Sequence, residues 1–149
     1  MVKKKLIPDG YKQTELGIIP EDWEIYDLDQ LTNVIMGQSP NSAYYNTIGR
    51  GLPLIQGKAD IKDRKSISNI FSLDYNKISE KDDIIMTVRA PVGYIAKATE
   101  KSCIGRGICS FRYKNDYIYY YLVSSENRWK DVSNGSTFDS IKSDEVKKM

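Results

Sequence analysis

Several short runs of this chain carry side chains whose chemistry suits a polyanion. Arg89 stands at the end of Ile84-Ile85-Met86-Thr87-Val88, just before Ala90-Pro91-Val92-Gly93, where a guanidinium can reach a ligand from a rigid base. An ordinary surface arginine beside a turn has the same pattern. Lys58, Lys62, Arg64 and Lys65 fall within eight residues and can contact phosphates if Asp60 and Asp63 point elsewhere. A solvated loop of mixed charge has this composition too. Gln38, Asn41 and Tyr44 share a polar run from Gly37 to Asn46. Carboxamides match the edge of adenine and tyrosine packs on sugar or phosphate, while a plain connector with half-buried tyrosines fits equally. Arg106 lies between Gly105 and Gly107, and glycine on both sides lets the backbone approach a partner or adopt a bulge.

Other chemistries are excluded. The chain has no histidine, which removes Ser-His-Asp and Cys-His nucleophiles and every histidine-ligated metal centre. Cys103 and Cys109 are too few for a structural zinc site and read as buried thiols. Gly49-Arg50-Gly51 lacks the rest of a dinucleotide fingerprint, and the 20 acidic residues offer no evident acid-base pair. No cofactor is expected. A net charge of +2 permits a local basic patch without requiring one.

The elements that must hold these side chains follow from length and patterning. With 149 residues, 40% hydrophobic and 28% charged, the chain suits one domain with a proper core. It has no membrane-spanning run, and its basic start reaches Pro8-Asp9-Gly10 with no signal-peptide apolar region, so the cytoplasm is expected. Residues 1–12 read as a loose leader and 13–149 as the folded unit. Lys81 to Ala98 reads as a central β-hairpin, with Ile84, Met86 and Val88 on one face and Ile85, Thr87 and Arg89 on the other. Asp27 caps a predicted helix over Leu28 to Val34, and Trp23 anchors the core beside a Pro20-Glu21-Asp22 loop. Strands are expected as a short apolar run between the glycines of Gly49 to Gly57, within Ile67 to Ser72 and from Ile108 onward. Asp116 to Ser125 reads as a packed amphipathic helix rather than a tyrosine stacking platform, and a further helix starts at Ser143-Asp144-Glu145.

Five motifs in order, Gly17-Ile18-Ile19-Pro20-Glu21-Asp22-Trp23, Gly37-Gln38-Ser39-Pro40, Lys81-Asp82-Asp83-Ile84-Ile85 with Arg89 and Gly93, Ile104-Gly105-Arg106-Gly107, and Asn134-Gly135-Ser136-Thr137-Phe138 with Ile141, span nearly the whole chain. Together they resemble a target recognition domain of a type I restriction-modification specificity subunit. The resemblance implies an α+β domain with a twisted, largely antiparallel β-rich body and a few packed helices, reading one half of a bipartite double-stranded DNA site. It implies no catalysis by this chain, since methyl transfer from S-adenosylmethionine belongs to the modification subunits and ATP-driven cleavage to the restriction subunit. Those subunits are the implied partners, together with double-stranded DNA.

A family member ordinarily carries two recognition domains separated by long helices, whereas this sequence ends at Lys147-Lys148-Met149. The expectation is therefore a first half, or a half-subunit that pairs with a second specificity half. Under the resemblance, residue chemistry assigns Lys58, Lys62, Arg64 and Lys65 to the phosphate backbone and Gln38, Asn41, Tyr44, Arg89 and Arg106 to base edges or the groove. Ser136 and Thr137 either donate to phosphate or form a structural turn. The competing reading is a protein-interaction module or decoy for other restriction-modification subunits.

Overall fold

A computed structural model describes residues 6–113, 116–128 and 143–148. The first element is a hairpin of β1 (Tyr11–Thr14) and β2 (Gly17–Pro20), a sheet of its own in which Tyr11 pairs with Pro20 and Thr14 with Gly17. Thr14 closes its turn by donating its hydroxyl to Gly17 O at 2.7 Å. Trp23, expected in the core, is 60% exposed. It lies in the turn that follows β2, where its N–H donates to Pro20 O at 3.1 Å, beyond the hairpin and outside the two larger sheets.

Asp27 precedes α1 (Leu28–Leu31) and its N–H donates to Gln30 Oε1 at 2.7 Å, half of a capping box. The helix expected to reach Val34 stops after one turn. Thr32 ends it, with both its N–H and its hydroxyl donating to Leu28 O at 2.9 Å. The chain then enters β3 (Asn33–Met36), where Val34 lies opposite Phe111 and Ile35 opposite Ser110. Helical spacing over this stretch is overridden because its β-branched residues complete a sheet edge.

The next strands are β4 (Tyr45–Asn46), β5 (Leu52–Ile55), β6 (Ile61–Lys62) and β7 (Lys65–Ser66), followed by β8 (Phe71–Ser72) and β9 (Ile78–Ser79). The strand predicted over Ile67 to Ser72 is shortened to its last two residues. Ser68 Oγ accepts from Ile70 N at 3.1 Å and donates to Ile70 O at 3.0 Å, a local turn that competes with a ladder. The mixed-charge run is more ordered than a solvated loop: β6 and β7 form a tight hairpin whose turn residues Asp63 and Arg64 have φ of 51° and 59°.

Then come β10 (Ile84–Thr87), β11 (Ile95–Lys97), β12 (Ser102–Ile104) and β13 (Ile108–Arg112). One sheet runs β3-β13-β10-β11-β7-β6 and the other β4-β8-β5-β12-β9. Pairings are antiparallel except β11 with β7 and β12 with β5. The predicted hairpin is the centre of the first sheet, with β10 flanked antiparallel by β11 and β13. Its alternation divides the core as expected. Ile84, Met86 and Val88 join Leu28, Phe111, Ile118, Leu122 and Val146 on the helical side, while Ile85 joins Ile55, Ile104 and Ile108 on the other.

The helical layer is α2 (Tyr117–Ser124) and α3 (Ser143–Lys147). As expected of a packed helix, α2 buries Ile118 and Leu122, four residues apart, and exposes Tyr120. Cys103 and Cys109 are buried free thiols, and burial pushes both pKa values up. Asp83 is buried at the hairpin's entry and accepts from Arg112 Nε at 3.1 Å, Arg112 Nη2 at 3.0 Å and Glu80 N at 2.8 Å.

Candidate nucleic-acid interface

Glycines bring the ends of five strands together. Beyond β3, Gly37 N donates to Ile108 O at 2.8 Å and Gln38 N to Ile104 O at 3.0 Å. Gly105 N donates to Ile55 O at 2.8 Å, and Val88 N to Gly107 O at 2.9 Å. The spacing leaves no room for side chains: a Cβ on Gly37 would lie 2.0 Å from Gly105 O, and one on Gly107 would lie 2.1 Å from Gln56 O. Glycine on both sides of Arg106 suits approach to a partner or a bulge, and what the structure shows is close approach to the chain's own main chain at Gly37 and Gln56.

Around this junction opens a cleft of about 510 Å³, lined by Gln38, Ser39, Tyr45, Gln56 and Arg106 among others. Ser39 Oγ accepts from Arg106 N at 3.1 Å and so ties the two rims. Arg89 and Arg106 each follow or precede by one residue the Val88–Gly107 pair that extends the β10–β13 register. Both are exposed, and neither forms an ion pair among the described residues. Gln38 and Arg106 are thus brought to one opening, with Arg89 at the adjoining strand end.

Asn41 and Tyr44 sit beside the cleft on a single 3-10 turn, Ser42–Tyr44. Asn41 is exposed and its Oδ1 accepts from Ala43 N at 2.9 Å, and Tyr44 is 48% exposed. Tyr45, half-buried, donates its hydroxyl to Pro40 O at 3.0 Å and braces the turn.

The remaining cations gather on the β6–β7 hairpin and on the 3-10 turn Lys58–Asp60 that leads into it, and they are not equivalent. Lys62 and Lys65 are exposed and directly opposite each other, an arrangement of like charge that disfavours the free hairpin and suits an anionic partner. Lys58 Nζ stands 4.4 Å from the centre of the Tyr94 ring, and the Arg64 guanidinium 4.8 Å from it. Arg64 is committed within the fold. It pairs with Glu126 through both guanidinium nitrogens and donates to Ile95 O at 2.8 Å. Ser136 and Thr137 lie outside the described residues.

Burial alone would raise the Glu126 carboxyl, but the Arg64 hydrogen bonds and the Ile95 N–H at 3.0 Å outweigh it and hold the pKa below the ordinary value of 4.5. A carboxylate held low in the folded state stabilises fully above its ordinary pKa, and that contribution disappears as pH falls through the folded value. Glu126→Gln is expected to cost about 1 kcal/mol at neutral pH, the low end for a charge-assisted pair because both groups are partly solvated. The gap between wild type and variant in urea unfolding should close as pH drops below 4.5. A gap independent of pH would contradict the charged pair.

The residue chemistry along the chain missed Gln56 and Tyr94. Gln56 had a visible signal, a polar residue between the apolar run Leu52–Ile55 and Gly57. Tyr94 had none, because the cations over its ring, Lys58 and Arg64, come from a segment distant in sequence. On another face, Leu16, Ile19, Trp23, Tyr26 and Tyr121 line an apolar depression of about 310 Å³. Among the described residues no cluster of metal-ligating side chains occurs, and no helix is long and apolar enough to cross a membrane.

A family model described as the type I restriction modification DNA specificity domain matches residues 20–149. The putative type I restriction enzyme MjaX specificity subunit of Methanocaldococcus jannaschii is 35% identical over 93% of this chain and 36% of its own length. The crystal structure of the HsdS subunit from Thermoanaerobacter tengcongensis superposes with a TM-score of 0.78 at 30% identity, covering 95% of this chain and 35% of that one. A chain from a structural study of complex assembly and conformational transition in the type I R-M system gives 0.78 at 33% identity, covering 88% of this chain and 34% of that one. The chain spans about a third of the length of the curated relatives it matches. With its β-rich α+β fold and a match covering most of its residues, the chain belongs to the type I restriction-modification DNA specificity domain family.

Proposed function

We propose that this chain is a non-catalytic, cytoplasmic recognition module that reads one half of a bipartite double-stranded DNA target for a type I restriction-modification complex. The observation that carries the reading is the glycine junction, which fixes Gln38 and Arg106 on opposite rims of one open cleft with Arg89 beside it. A guanidinium supplies two parallel donors to guanine O6 and N7, and a carboxamide supplies a donor and an acceptor to adenine. Exposed Lys62 and Lys65 supply sequence-independent attraction to phosphates. Modification and restriction subunits, and a second specificity half, are the protein partners of this reading.

The test is to build the chain into a complete type I methyltransferase and map which adenines become methylated. Half of the methylated motif should change with the swap, and an unchanged motif refutes the reading. Within that assembly Arg106→Ala is expected to lose about 1–3 kcal/mol of discrimination at one base pair. Lys62→Ala and Lys65→Ala should weaken every sequence alike, each lowering the salt slope by about 1. A second reading, docking of another protein, is favoured by the exposed Trp23, Tyr26 and Leu16 around the apolar depression. Duplex affinity that falls steeply with salt supports DNA recognition. Salt-insensitive binding confined to a protein partner supports docking.

A further inference from the structure

Gln56 combines a fixed backbone with an uncommitted side chain. It follows Ile55, which is 1% exposed, and its own N–H donates to Asp60 Oδ2 at 2.8 Å. The Ile55 carbonyl before it accepts from Gly105 N at 2.8 Å, and its own carbonyl lies against Gly107. The adjoining ends of β5, β12 and β13 therefore hold this main chain in place.

The carboxamide is different. It is part of a half-buried residue lining the cleft, and no hydrogen bond is made to it among the described residues. Gly105 leaves the space it occupies, since a Cβ at that position would come within 3.2 Å of Gln56 Cγ and 2.9 Å of Ser39 Oγ. The cleft lining carries Arg106 and no acidic side chain, while the nearby Asp60 carboxylate is turned onto the Gln56 backbone. A half-buried amide that makes no internal bond gives up little when a ligand edge replaces its water, and its rigid base keeps the geometry selective.

We propose that Gln56 is a base-reading residue that presents its carboxamide to the N6 amino group and N7 of an adenine in the major groove. The proposal rests on DNA recognition by this cleft and adds a specific reader to it. Gln56 supplies the acceptor for N6 and the donor for N7, while Ser39 and the glycine junction set the depth at which the base edge stops.

The experiment uses the full-length specificity subunit assembled with its modification subunits, and duplexes in which each adenine of the mapped half-site is replaced in turn by 7-deazaadenine, which lacks the N7 acceptor. One replacement is expected to weaken wild-type binding by roughly 5- to 150-fold and to leave Gln56→Ala binding unchanged. Gln56→Glu keeps the side chain's shape and offers only acceptors, so it should lose the preference for adenine at that same position. The assignment is overturned if Gln56→Ala keeps the full 7-deazaadenine penalty at every adenine, or if it weakens all duplexes, scrambled ones included, by the same factor. A methylated motif that ignores a swap of the whole domain overturns the recognition reading as well, which separates the two failures.

Discussion

Truncating Phe111 to alanine is expected to lower the unfolding free energy by about 3–5 kcal/mol, read as a fall in the urea midpoint with an unchanged slope. Phe111 is fully buried and lies opposite Ile84 on one side and Val34 on the other, so it occupies the middle of three paired strands. It also belongs to the cluster that takes in Leu28 of α1, Ile118 and Leu122 of α2 and Val146 of α3. Those elements are brought together from distant parts of the chain, and a cavity at their meeting point cannot collapse without moving the sheet. A domain of this size is stable by only about 5–15 kcal/mol, so the variant stands close to unfolding. Phe111→Leu, which keeps most of the volume, should cost less than about 1.5 kcal/mol. A loss below 1 kcal/mol for Phe111→Ala would mean that the helices do not pack on this strand.

The contrast with Arg106→Ala separates fold from site. Loss of Phe111 should weaken recognition of every sequence in proportion to the unfolded fraction. Loss of Arg106, an exposed side chain without an ion pair among the described residues, should alter discrimination while stability stays within about 0.5 kcal/mol.

Local pattern revealed the centre of the fold. Ile84, Met86 and Val88 against Ile85 is an alternation that strand geometry imposes, and the core divides along it. The spacing of Ile118 and Leu122 likewise identified α2, and Gly105 and Gly107 announced a close approach. What local pattern did not carry was the partner in each case. Val34 and Ile35 fit a helix until β13 is known to offer them a ladder. Trp23 looks like an anchor until the turn that holds it is found after β2, outside both larger sheets. Arg64 has the composition of a surface cation, yet its guanidinium meets a carboxylate 62 residues further along the chain. Gln38 and Arg106 were legible as chemistry, but that they share a cleft with Gln56 depends on β5 running parallel to β12, a crossover with no local signature.

Gly37→Ala is expected to destabilise by about 3 kcal/mol or more, at or above the upper end for overpacking, because the added carbon meets main chain that cannot rotate away. A Cβ there would lie 2.0 Å from Gly105 O, 2.6 Å from Ile108 O and 2.8 Å from Gly105 C. The conflict is one of space alone, since Gly37 is not among the glycines with positive φ. Relief requires the end of β3 to move off the β12–β13 turn, which breaks the Gly37 and Gln38 N–H bonds and separates the rims that carry Gln38 and Arg106. Any Gly37→Ala protein that still folds should therefore lose discrimination at the positions read by both residues, although neither side chain has changed. Gly57→Ala is the matched control. It adds the same carbon next to Gln56, where nothing lies within 4 Å, and should change stability by less than about 1 kcal/mol with the methylated motif intact. Urea unfolding and the methylation map on both variants decide the matter, because a Gly37→Ala protein as stable and as selective as Gly57→Ala would show that the close approach does not hold the cleft together.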